Sequence, residues 1–121
     1  MTIHERPIGN VTILDIDGRI TVQEGADVFR DAVQRLVSQG RVKLVLNLAS
    51  VPYIDSTALG EVVRAFTTVV RRGGLLKLVQ PTRRVHDLLV ITKLVSILET
   101  FETEVEAISS FGGSTDVTIV D

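Results

Sequence analysis

Val51-Pro52-Tyr53-Ile54-Asp55-Ser56-Thr57-Ala58-Leu59-Gly60 is the segment on which the architecture turns. An apolar run breaks at Pro52, resumes for two residues, and then presents Asp-Ser-Thr where a helix can begin. Oxygens of these residue types accept from the free amides of a first helical turn, so the segment predicts a capped helix start. Just upstream, Val42-Lys43-Leu44-Val45-Leu46-Asn47-Leu48 is mostly apolar, as a central strand covered on both faces would be. Downstream, Leu59, Val62, Val63, Phe66, Val69 and Val70 fall at steps of three and four, which predicts one continuous apolar stripe on a helix. Glu61, Arg64, Thr68, Arg71 and Arg72 take the other side. Gly73-Gly74 ends that helix and Leu75-Leu76-Lys77-Leu78-Val79 is another buried strand. Two buried strands joined by a long helix imply a crossover connection and parallel pairing.

The same alternation extends both ways. Ile3 to Arg6 predicts a short edge strand, turned at Gly9-Asn10 into Val11–Ile16, with Asp17-Gly18 closing the second strand. Thr21 and Glu24 have capping-box spacing ahead of Ala26, Phe29, Val33, Leu36 and Val37, and Gly40 stops that helix. Pro81-Thr82 opens a third helix with Val85, Leu88 and Leu89 on one face. Ser96-Ile97-Leu98 predicts a short strand, and Thr103 with Glu106 repeats the capping spacing before a last helix through Ile108 and Phe111. Gly112-Gly113-Ser114 reads as a hinge before Asp116–Val120, either a late strand or a disordered end that becomes a strand against a neighbour. The expectation is one α/β domain spanning residues 1–121, with its core at about 11–111. Its mixed, mostly parallel sheet has about five strands, with about four helices packed on it and an antiparallel edge from the opening hairpin.

Composition narrows the function classes. The 121 residues carry 13 basic and 15 acidic side chains, a net charge of −2, which disfavours a general nucleic-acid binder. There is no cysteine, so disulfides and thiolate zinc sites are excluded, and two histidines make any metal site a poor expectation. No stretch reaches the roughly 18 consecutive apolar residues of a membrane span. The first residues hold His4, Glu5 and Arg6 rather than an apolar signal core, so a cytoplasmic protein without membrane insertion is expected.

The order strand, Asp55-Ser56-Thr57-Ala58-Leu59-Gly60, helix, Gly73-Gly74, strand, Pro81, helix resembles the STAS domain, and more narrowly the bacterial anti-sigma factor antagonists. Five positions of the family motif Asp-Ser-(Ser/Thr)-Gly-Leu-Gly match, and the likeness runs from about Val11 to Phe111. The resemblance implies a small mixed sheet with helices packed on it, and a protein switch with no catalytic residues and no cofactor. In that family the serine after the aspartate, here Ser56, is phosphorylated by a partner that is both anti-sigma factor and serine kinase. The unphosphorylated antagonist binds that partner and frees a sigma factor, and a PP2C-type phosphatase resets the cycle. Three departures bear on the partner and the turns. Ala58 stands for the usual glycine, Thr21 stands near a position often acidic in phosphorylated members, and Lys93 stands where relatives often have glycine.

The residues support a switch on their own terms. Phosphoserine carries roughly −1.5 to −2 charges, and a helix N-terminus offers it both amides and a favourable dipole. A phosphate on Ser56 would therefore leave the fold intact and repel whatever docks there. The plainer role, Asp55 or Ser56 as an ordinary cap, is compatible with that one. Thr57 is a secondary acceptor, and Tyr53, Ile54, Asp55, Thr57, Glu61 and Arg64 form the expected contact surface around Ser56, in the loop and on the exposed first turns. Ser56, Asp55 and His86 do not make a hydrolase set, since no Gly-x-Ser-x-Gly elbow surrounds Ser56. Gly73-Gly74 lacks the Lys-Ser/Thr of a phosphate loop. Between Arg64 and Lys93 seven bases face one acid, Asp87, a run read as solvated helix surface or as a patch for an acidic partner or nucleotide phosphates. Two other classes stay open: a stand-alone subunit binding a membrane transporter's ATPase, and a nucleotide or lipid-metabolite sensor. Either a monomer or a weak homodimer fits.

Overall fold

The computed structural model describes residues 1–116, with side chains to residue 112. Strands β1 (Thr2–Ile8) and β2 (Val11–Asp17) form an antiparallel hairpin. Helix α1 (Ala26–Ser38), β3 (Lys43–Ser50), α2 (Ser56–Arg71) and β4 (Leu75–Val79) follow. The chain closes through α3 (Arg83–Ile91), a 3-10 turn at Leu94–Ser96, β5 (Thr100–Phe101) and α4 (Glu104–Asp116). The sheet order is β1-β2-β3-β4-β5, antiparallel for the first pair and parallel for the rest. Sheet order equals chain order, so successive crossovers of one hand place α1, α2 and α3 on the same face.

Alternation along the strands divides the interior in two. Leu14, Ile16, Leu44, Leu46, Leu48, Leu76 and Leu78 project toward α1, α2 and α3, meeting Phe29, Val33, Leu59, Val62, Val85 and Leu89. The opposite positions Val11, Ile13, Val45 and Val79 pack under Ala107 and Phe111 of α4. Burial on both faces is why β3 reads as an almost unbroken apolar run. Each such leucine or isoleucine stabilises the fold by about 1.5–3 kcal/mol relative to an exposed one.

Several local expectations are corrected. The fifth strand is Thr100–Phe101, paired to Leu78 and Val79. Ser96-Ile97-Leu98 is instead the end of the 3-10 turn and its exit, where the amides of Ile97 and Leu98 donate to the Leu94 carbonyl. Thr21 does not cap α1. It closes a Thr21–Glu24 loop through its backbone and hydroxyl, and the residue preceding α1 is Gly25, at φ 99° with no side-chain cap. Glu24 turns to Arg19 at 3.6 Å. Thr103 does cap α4, its hydroxyl accepting from the Glu106 amide at 3.1 Å. That helix runs on to Asp116, so Gly112-Gly113-Ser114 is helical and no hinge; the expected strand at 117–120 lies outside the described residues. On α2 the buried set is Ala58, Leu59, Val62, Ala65 and Val69, whereas Val63 and Phe66 are half-buried and Val70 is exposed. Ala65, which the stripe did not include, lies beside Val33 and Gln34 of α1. Gly74 is obligatory: a Cβ there would lie 1.9 Å from the Val42 carbonyl, which accepts the Leu75 amide to start β4.

Helix α4 is fastened to the sheet by polar contacts as well. Arg6 binds Asp15 through its Nε at 2.5 Å and Glu104 through Nη2 at 2.5 Å, and Glu104 Oε2 also accepts from the Asn47 amide at 2.8 Å. Beside them the Lys77 ammonium, almost fully buried, lies over Phe101 and Phe111 at 5.5 and 5.0 Å and pairs with Glu99 at 2.9 Å.

Candidate functional site

The site is assembled where the loop after β2 crosses the loop after β3. Val51, Ile20 and Ile54 are buried and anchor both loops to the core. Between them the Ile20 amide donates to Tyr53 O at 3.0 Å and the Asp55 amide donates to Ile20 O at 3.1 Å, a single rung of parallel bridge. The hydroxyl of Thr82, which caps α3, donates to Val51 O at 3.1 Å and ties in a third loop.

Asp55 is the cap of α2. One carboxylate oxygen accepts from the Ala58 amide at 2.8 Å, and the other reaches across to the Val22 amide at 2.9 Å. These backbone donors, Ala58 first and then Val22, hold its pKa below the ordinary carboxylate value against a smaller desolvation effect. The carboxylate thus spans two loops, and both oxygens are engaged. Ser56 follows as the first helical residue and is exposed, as is Thr57.

Two grooves flank this point. One, of about 500 Å³, runs between the start of α2 and α3 and is lined by Tyr53, Asp55, Ser56, Arg84, Leu88 and Ile91 among others. The second, of about 460 Å³, lies over the loop after β2, with Arg19, Val22, Glu24, Tyr53 and Asp55 in its wall. Tyr53 belongs to both, and Arg84 lies over its ring at 4.7 Å. Exposed apolar side chains border the site, Val22 at 57% and Ile91 at 77% exposure.

Of the expected surface residues, Tyr53, Asp55, Ser56 and Thr57 are brought together. Ile54 points inward at 4% exposure and belongs to the core. Glu61 is also withdrawn: its side chain, 14% exposed, sits between α1 and α2 with Arg30 and Arg64 at 3.9 and 3.6 Å. Arg64 itself is exposed, two turns along α2 from Ser56. His86 is exposed on α3. Sequence reasoning missed Val22, Arg84 and Ile91. Arg84 was visible only as one charge in a basic run, since no period links α3 to Tyr53, and Val22 enters partly through its amide, which has no side-chain signature.

Residues 3–107 match the model of the STAS domain. The chain belongs to the STAS domain family. Within it, this STAS domain is 38% identical over 86 residues to the anti-sigma-B factor antagonist of Bacillus subtilis, covering 71% of this chain and 77% of that protein. The crystal structure of a Thermotoga maritima protein, named as an anti-sigma factor antagonist, superposes with a TM-score of 0.84 at 28% identity over 89% of this chain and 92% of that one. The anti-sigma factor antagonist SpoIIAA shares the fold at 16% identity and a TM-score of 0.72, in its unphosphorylated and phosphorylated forms alike. Coverage is 93% and 91% of this chain, and 99% of that chain in both cases. This STAS domain is therefore a member of the anti-sigma factor antagonist family, a family of binding proteins. Among the described residues, no helix is long and apolar enough to cross a membrane.

Proposed function

We propose that this STAS domain is a non-catalytic, phosphorylation-gated binding protein. Unphosphorylated, it sequesters an anti-sigma factor that is also a serine kinase, and so releases a sigma factor in the cytoplasm. Phosphorylation of Ser56 ends the binding, and a PP2C-type phosphatase restores it. The observation that carries this reading is the exposed Ser56 hydroxyl at the first position of α2, between two grooves bordered by Val22, Tyr53 and Ile91.

The gating follows from charge and not from a change of fold. Ser56 sits where a phosphate meets the first-turn amides, so the helix tolerates it. A docked partner must bury that dianion against its own surface, and like charge or lost solvation across an interface costs several kcal/mol. Asp55 contributes as a brace: it holds the loop carrying Val22 against α2, so both walls of the docking surface keep one geometry.

The test is capture from source-cell lysate on Ser56→Ala and Ser56→Asp baits, followed by mass spectrometry and titration with the purified partner. Expected is a serine kinase of the ATPase fold held by Ser56→Ala and weakened about a hundredfold, about 2.7 kcal/mol, by Ser56→Asp. Equal capture by the two baits would sink the switch. Transporter subunits held by both would assign the scaffold role instead.

A further inference from the structure

We propose that Arg84 is the phosphate's partner. When Ser56 is phosphorylated, the guanidinium leaves the ring of Tyr53 and pairs with the phosphate across the groove between α2 and α3. This rests on the phosphoserine reading of Ser56 and adds what the modification does to the docking surface.

Three observations lead there. Arg84 and Ser56 line the same groove, and Arg84 is the sole cation among the residues lining it. Its guanidinium lies 4.7 Å from the ring of Tyr53, three residues before Ser56, so its reach already extends to this loop. Among the described residues no carboxylate pairs with it. Two acids share the groove. Asp55 is committed to the amides of Ala58 and Val22, which leaves Asp87, one turn along α3, as the competing anion.

The exchange follows from relative strengths. An exposed guanidinium over an aromatic ring is a weak, reversible contact. A phosphate dianion offers three acceptor oxygens matching the planar fork of arginine, and such charge-assisted pairs are among the strongest side-chain hydrogen bonds. Asp87 has a single negative charge and is exposed. Moving Arg84 to the phosphate uncovers the face of Tyr53 and takes the groove's cation out of circulation. Phosphorylation then dismantles part of the docking surface as well as adding charge to it.

The chain tests this directly, because Tyr53 is its one tyrosine and there is no tryptophan. Phosphoserine is installed at position 56 of the full chain by site-specific incorporation, which needs no kinase. The phosphate is titrated by phosphorus NMR while Tyr53 emission is recorded. Expected is a second phosphate ionisation about half a unit lower in the otherwise wild-type chain than in Arg84→Gln, with Arg84→Lys between them. Tyr53 emission changes on phosphorylation of the wild-type chain and stays constant in Arg84→Gln. Equal phosphate titration in wild type and Arg84→Gln overturns the proposal whatever Tyr53 does, since the α2 amides would then hold the phosphate alone. Circular dichroism checks that each variant is folded. The outcome is independent of the bait experiment: a partner insensitive to Ser56→Asp would end the switch reading and leave the Arg84 titration standing as measured.

Discussion

At the scale of the residue, Asp55 does more than a cap requires. A carboxylate that accepts from Ala58 alone would serve α2. By also accepting from Val22 it joins two loops separated by 33 positions in the chain. Because its folded pKa is depressed, the stability it contributes is present above its unfolded pKa and is lost as pH falls through the lower folded value. Asp55→Asn should therefore melt below wild type at neutral pH, and the gap should close on acidification into and below the ordinary carboxylate range. Melting temperatures of both proteins across that window measure it; a gap that stays constant would mean that the charge is not what the amides hold. Asp55 and Ser56 were legible from the motif, since local spacing places a cap. Ile54 and Glu61 were misplaced on the surface because exposure at a helix start depends on which neighbour lies above it. Here the neighbours are Ile20 for one and α1 for the other.

Elements were read from period and punctuation, and they held where both signals were strong. The glycine pair after α2 is required by geometry at Gly74, and the proline before α3 stands where the chain leaves β4. The fifth strand failed because it is two residues long, below the length at which alternation is detectable, and takes its form from pairing with Leu78 and Val79. The Gly-Gly-Ser of α4 misled for the opposite reason: composition signals a break, but the helix continues through it to Asp116. Lys93 adopts φ 64°, the left-handed conformation that side chains resist. Lys93→Gly should remove that strain against a partial offset from a freer unfolded chain, a net gain of about 0.5 kcal/mol. The urea midpoint reports it, and an unchanged or lower midpoint would show that the turn holds Lys93 without strain.

At the scale of the whole molecule, the sheet carries two cores of unequal size, and the smaller depends on α4. Its N-terminal anchor is Glu104, bound by Arg6 and Asn47 from two different strands. Glu104→Ala should cost about 1 kcal/mol, the pair being partly solvated, and the loss should fall on α4. Amide exchange from Glu106 to Phe111 is expected to quicken by about fivefold while β3 stays protected. Uniform acceleration across the sheet would mean instead that α4 unfolds only with the rest. By itself the sequence determined the mixed, mostly parallel α/β architecture, the succession of its first four strands along the chain and the place of Ser56. Apolar period, turn residues and a cap are local quantities written in neighbouring positions. Tertiary structure alone decided that α4 closes the second face, that Asp55 braces the loop of Val22, and that Arg84 reaches Tyr53. Each of those contacts joins residues far apart in the chain, brought together by strand pairing and burial rather than by any spacing along it.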